Sequence, residues 1–251
     1  MSTKGQTRRN SIQTQDIEYN VGGKRYVGHF AVDEGLEGRR PGVLVAPEGG
    51  GLVDLTKSIA RRLAEAGYAA FAMDYYGDGQ PLTDMNDVMV RLGPWFADPA
   101  GIRDIAAAAL AVLERQPQTD PERLAAIGYC FGGTTALELG RSGAALKAIV
   151  GFHSGLGTAR PDDAANIKAK VLVCIGADDP IIPAQQRLDF EQEMTRGGVD
   201  WRMNIYGGAG HSFTNPGVGA LGRPGFAYDE TTDRRSWAAM IDLFAEALDG
   251  V

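Results

Sequence analysis

Six short runs, apolar at most positions, recur along this chain with segments of helical spacing between them. They lie at residues 41–48 (PGVLVAPE), 68–76 (YAAFAMDYY), 124–129 (LAAIGY), 146–152 (LKAIVGF), 170–175 (KVLVCI) and 201–206 (WRMNIY). A strand buried on both faces reads as a nearly continuous apolar run. Helical spacing is seen at 53–65, 101–115, 183–196 and 235–248. Gly67 and Gly197 stand as stops, and Pro183 sits in a first turn. Strands alternating with helices predict an α/β fold: a mostly parallel central sheet with helices on both faces. Ahead of this, residues 17–20 and 24–32 alternate in polarity around Gly22 and Gly23, which predicts a hairpin. Residues 77–99 and 215–232 are rich in glycine, proline and aspartate and read as long loops. In such sheets ligands bind beyond the carboxyl ends of the strands, so these loops are expected to rim a site.

A length of 251 residues suits one domain, expected over residues 16–251 behind a polar, flexible leader at 1–15. Hydrophobic residues make up 44% of the chain, which supports a real core. The net charge is −7, the isoelectric point is about 5.0, and no basic run could track a phosphate backbone. Nucleic acid is therefore excluded as a partner. The apolar runs are too short to span a bilayer, so no membrane role is expected. Two cysteines, Cys130 and Cys174, cannot build a disulfide framework and read as reduced thiols of a cytoplasmic protein.

One of those cysteines has an unusual setting. Gly128-Tyr129-Cys130-Phe131-Gly132 joins a predicted strand to a predicted helix. A G-x-nucleophile-x-G turn of this kind is a nucleophile elbow, with glycines where side chains would collide. It places Cys130 at a helix N-terminus, where the dipole favours a thiolate. The N–H of Phe131 then points to where an oxyanion would form. Cys174, inside the run VLVCIG, reads as a core residue.

Partners follow in order. Asp178 and Asp179 lie in the loop after 170–175, and either could orient a histidine, although a loop aspartate also commonly caps a helix. His211 lies on a glycine-rich loop after 201–206. Nucleophile, acid, base is the chain order of the α/β-hydrolase fold. A base that takes and returns a proton suits a near-neutral imidazole. His29 reads as structural, and His153, after a strand end, either faces the pocket or satisfies a backbone carbonyl. The histidines lack metal-ligand spacing, so no metal is expected. Gly49-Gly50-Gly51 lacks the third glycine of a dinucleotide loop, and no cofactor is implied.

The segments VLVAPEGGGL, FAMDYYGDG, IGYCFGGTTALEL, GFHSGL, CIGADDPIIP, GGAGHSF and SWAAMIDLF together resemble the dienelactone hydrolase family of α/β-hydrolases. The resemblance implies that Asp179, rather than Asp178, completes a triad with Cys130 and His211. It assigns Glu48 as a carboxylate that contacts the resting thiol and helps deprotonate it, and the N–H of Gly49 as a second oxyanion donor. The two arginines with which the family holds a substrate carboxylate are missing: Asp78 and Asn215 stand at the matching positions, and Arg91 or Arg223 could compensate. Tyr76, Trp95, Phe96 and His153 are the remaining expected pocket residues.

The expected function is therefore hydrolysis of small neutral esters or lactones, and of activated phosphotriesters, by a cysteine nucleophile. The alternatives are a carboxymethylenebutenolidase acting on anionic dienelactone, a thioesterase or acyl transferase, and a non-catalytic binding protein. The expected partner is a small-molecule substrate, on a monomer or homodimer.

Overall fold

The computed structural model describes residues 11–249. Its elements in chain order are β1 (Ile12–Val21), β2 (Lys24–Asp33), β3 (Arg40–Ala46), α1 (Asp54–Glu65), β4 (Ala69–Ala72), α2 (Met85–Ala97) and α3 (Ala100–Glu114). There follow β5 (Thr119–Tyr129), α4 (Phe131–Arg141), β6 (Ala148–Phe152), β7 (Lys170–Gly176), α5 (Ala184–Arg196), β8 (Trp201–Tyr206) and α6 (Glu230–Phe244). The strands form one eight-stranded sheet in the order β1-β2-β4-β3-β5-β6-β7-β8. The β1–β2 and β2–β4 pairs are antiparallel and the others are parallel.

The buried parts of the central strands, such as residues 41–46 and 124–129, are apolar because each face meets helices. In β3, Val43 and Val45 join the core on one side of the sheet, which also holds Leu63 of α1 and Met240 and Leu243 of α6. Leu44 and Ala46 join the core on the other side, which also holds Ile105 of α3, Leu137 of α4 and Phe190 of α5. A strand's side chains alternate between faces, so one run serves both cores. Burying each large side chain contributes about 1.5–3 kcal/mol.

Several boundaries differ from the sequence reading, each for a local reason. β1 starts at Ile12, inside the stretch read as a leader, because its ten residues pair fully with β2; residues 1–10 lie outside the described residues. Gly22 and Gly23 both have positive φ, 56° and 82°, as the predicted hairpin turn demands. The strand expected over 68–76 pairs only to Ala72. Beyond it the Asp74 carboxylate gathers the N–H groups of Tyr76, Gly77 and Gly79 (2.8, 3.1 and 2.8 Å) and turns the chain.

Residues 77–99 are not one loop but contain α2. Asp84 caps it, accepting from the N–H of Asn86 at 2.7 Å, and Pro94 lies within it. Residues 215–232 hold a short 3-10 turn, Val218–Leu221, and the start of α6, which Asp229 caps by accepting from Thr232. α6 thus begins before Arg235, and a π turn (Ala245–Asp249) follows it.

Candidate active site

Five loops at the carboxyl ends of β3, β5, β6, β7 and β8 meet at one place. The β5–α4 turn holds Cys130 at φ 54°, ψ −119°, a conformation that L residues rarely adopt. Its glycines are sterically required: a Cβ on Gly128 would lie 1.9 Å from the Gly132 carbonyl oxygen, and one on Gly132 would lie 2.1 Å from that of Ala46. The Cys130 sulfur is 3.2 Å from Nε2 of His211, and Nδ1–H of His211 donates to Oδ2 of Asp179 at 2.8 Å. The other Asp179 oxygen accepts from the N–H groups of Ile181 and Ile182, at 2.8 and 3.3 Å, which fixes the carboxylate. Asp178 is exposed, whereas Asp179 is buried, so only the latter joins the cluster.

Electrostatics differ from the expected near-neutral imidazole. Burial works against a charge on His211, but hydrogen bonds and charge from Asp179 and from the Cys130 sulfur outweigh it and raise the imidazole to about 10. The ring is also buried, between Phe226 and His153 at centroid distances of 4.8 and 5.2 Å.

Glu48 follows β3. Its Oε2 accepts from Asn215 Nδ2 at 2.8 Å, while its Oε1 is buried without a hydrogen bond. Burial pushes this carboxyl above the usual range, against the opposing effects of Asn215, Ser212 and His211. The thiol's hydrogen-bonding partner is His211 rather than Glu48, which differs from the contact implied by the resemblance.

The N–H of Phe131 opens α4 and has no intrahelical acceptor. The Gly49 backbone is braced from the opposite side, since the Tyr76 hydroxyl donates to its carbonyl oxygen. Trp95 stacks on both Tyr76 and Phe131, with centroids 6.4 and 5.9 Å apart, and Phe96 meets Phe131 edge-on at 5.3 Å. The three aromatics expected as pocket walls thus cluster about Trp95 and Phe131 and do not line the cleft beside Glu48. Tyr75 donates to the Pro47 carbonyl at 3.0 Å, a role that its place in an apolar run conceals.

A cleft of about 460 Å³ opens beside Glu48 and Asn215, walled by Leu82, Met85, Val88, Val218 and Leu221. Its lining includes Asp54 but no lysine or arginine. Asp78 does not line it: at φ 57° it turns outward and pairs with Arg25 at 2.9 Å. Arg91 and Arg223 are exposed; Arg91 acts electrostatically on Tyr76, and Arg223 lies over the Phe226 ring at 4.6 Å. His153 is fully buried beneath the elbow rather than facing the cleft, and His29 pairs with Asp16 on the hairpin. Among the described residues no group of three or more metal-ligating side chains is assembled, and no helix is long and apolar enough to cross a membrane.

Comparison with known proteins agrees with this layout. A Bradyrhizobium protein named "Probable 2-oxo-3-(5-oxofuran-2-ylidene)propanoate lactonase" is 29% identical over 187 residues, 71% of this chain and 75% of its own. A solved structure named m3DLH superposes with a TM-score of 0.92 at 47% identity, covering 95% of this chain and 99% of that one. A dienelactone hydrolase-like promiscuous phosphotriesterase from metagenomic libraries gives 0.90 at 45% identity, covering 94% and 99%. The profile of the dienelactone hydrolase family matches residues 29–248. With the α/β-hydrolase sheet and an elbow in place, the chain belongs to the dienelactone hydrolase family and is an ester-bond hydrolase.

Proposed function

We propose that the chain hydrolyses small neutral esters and lactones through Cys130, His211 and Asp179. The observation that carries this reading is the hydrogen-bonded chain from the Cys130 sulfur through His211 to Asp179, near Glu48, whose cleft has no lysine or arginine in its lining.

His211 Nε2, within hydrogen-bonding reach of the Cys130 sulfur, takes the thiol proton as the nucleophile is activated. The sulfur attacks the carbonyl carbon, and the carbonyl π pair moves to oxygen, facing the N–H groups of Phe131 and Gly49. The tetrahedral species collapses, the C–O bond breaks, and the leaving alkoxide takes the proton from Nε2 of His211. Neutral His211 then removes a proton from water as the water attacks the thioester carbon. Collapse releases the acid, and the departing sulfur takes back a proton from Nε2 of His211. Asp179 holds Nδ1–H throughout, keeping Nε2 directed at the reaction.

A cleft bearing Glu48 and Asp54 and no lysine or arginine offers a substrate carboxylate no ion-pair partner. That favours neutral over anionic dienelactone-like substrates. Activated phosphotriesters are a second reading, favoured by the 45% identity to a structure named as a phosphotriesterase. The test is steady-state hydrolysis by wild type and Cys130→Ala of p-nitrophenyl acetate, a neutral lactone, an anionic dienelactone and an activated phosphotriester. Activity on the neutral members that disappears in the variant is the expected result. Preference for the anionic lactone would overturn the substrate class, and activity surviving in Cys130→Ala would overturn the nucleophile.

A further inference from the structure

We infer that His153 is a positioning residue, a neutral imidazole that ties the nucleophile turn to the loop carrying the base. This rests on the reading of Cys130 as nucleophile and adds a residue that does not itself meet substrate.

Both ring nitrogens of His153 are used. The Cys130 N–H donates to Nδ1 at 3.2 Å, alongside its bond to the Phe152 carbonyl at 2.9 Å. Because Nδ1 faces a donor, it carries no proton, so the proton is on Nε2. Nε2–H then donates to Thr214 Oγ1 at 2.8 Å. Thr214 lies three residues beyond His211 and next to Asn215, which holds Glu48. One ring therefore spans from the strained backbone of Cys130 to the loop that presents His211. Burial and the nearby His211 keep the ring neutral, well below the usual imidazole value. A proton on Nδ1 would oppose the Cys130 N–H and break the link.

The backbone of His153 supports the same assignment. Its φ is 41°, in the left-handed region that few side chains adopt, directly after β6. The strain turns the imidazole beneath the elbow, where its ring also packs edge-on against Phe213 at 5.1 Å. A residue needed only to fill this space could be aliphatic, and burying two polar nitrogens would then be unfavourable.

The test compares His153→Phe, His153→Asn, His153→Gln and Thr214→Val. Phenylalanine fills the ring volume without either bond. Asparagine places an acceptor at the position of Nδ1 and tolerates the left-handed backbone, whereas glutamine reaches toward Thr214 instead. Three quantities are read: kcat, KM, and the rate of Cys130 alkylation by iodoacetamide. In His153→Phe, kcat and the alkylation rate should both fall about tenfold, with KM within about twofold, as a misplaced nucleophile requires. His153→Asn should recover kcat to within about threefold of wild type, and Thr214→Val should fall between the two. Full kcat and full alkylation in His153→Phe would overturn the inference, as would an asparagine variant no better than phenylalanine. If His153→Phe does not fold, asparagine against glutamine decides, and equal rates would overturn it. Alkylation reads the thiol without turnover, so a wrong assignment of His153 is distinguishable from a wrong assignment of the reaction.

Discussion

Replacing Asp179 by asparagine would change one atom and reverse a hydrogen bond. One Asp179 oxygen already accepts from two backbone N–H groups, those of Ile181 and Ile182. In Asp179→Asn the amide oxygen must stay with those donors, so the NH2 group faces His211 Nδ1. Nδ1 then becomes an acceptor, the ring proton moves to Nε2, and Nε2 can no longer take a proton from the nucleophile or from water. Without a base at Nε2 to draw off its proton, the Cys130 thiol should be alkylated about tenfold more slowly. Loss of acid–base function removes a further factor of about 10²–10⁴, which puts the fall in kcat at about 10³-fold or more. The fold should survive, since the backbone acceptor is retained. Because the pair raises His211 from 6.5 to about 10, its stabilising effect is fully present below pH 6.5 and lost as pH rises through about 10. The stability gap between wild type and variant should close over that window. Stopped-flow alkylation, kcat and urea unfolding across pH test this together. A kcat within tenfold of wild type, or an unchanged alkylation profile, would refute the reasoning.

Arg141 is fully buried and holds Glu193 at 2.7 Å and Glu138 at 3.0 Å; Arg141→Met should lower stability by about 3–5 kcal/mol in urea, because it strands buried carboxylates. Burial raises Glu48 above its ordinary 4.5, so its contribution to stability is present below pH 4.5 and is lost as pH rises beyond it; Glu48→Gln should remove that slope from urea unfolding measured against pH. Leu221→Arg places a cation on the cleft wall, and kcat/KM should shift about fivefold toward anionic over neutral lactone in a competition assay.

The sheet was legible in the sequence because strand segments buried on both faces are apolar, as residues 41–46, 124–129, 148–152 and 171–176 illustrate. The geometry around Cys130 was legible because a tight turn excludes side chains beside it, which leaves glycines at fixed offsets. α2 was hidden because Gly93 and Pro94 read as breakers, although the helix buries only Val88 and Leu92 and tolerates them. Asp78 was misplaced because its neighbours mark the end of a strand, while its outward turn toward Arg25 depends on the distant hairpin. The charge on His211 depends on three groups meeting in space, and no local pattern encodes it. The same holds for His153, whose partners lie 23 and 61 residues away.

That spacing has a kinetic consequence. Cys130 and His211 are separated by 81 residues, and Glu48 and Asn215 by 167. Each loop is placed by a different strand, so a chain with β3 to β7 zipped but β8 still unpaired would have its thiol without its histidine. Non-local pairing of this kind is slow to form. Recovery of enzymatic turnover during refolding should therefore lag behind recovery of helical signal, and hydrolytic activity would serve as a reporter of β8 docking on β7.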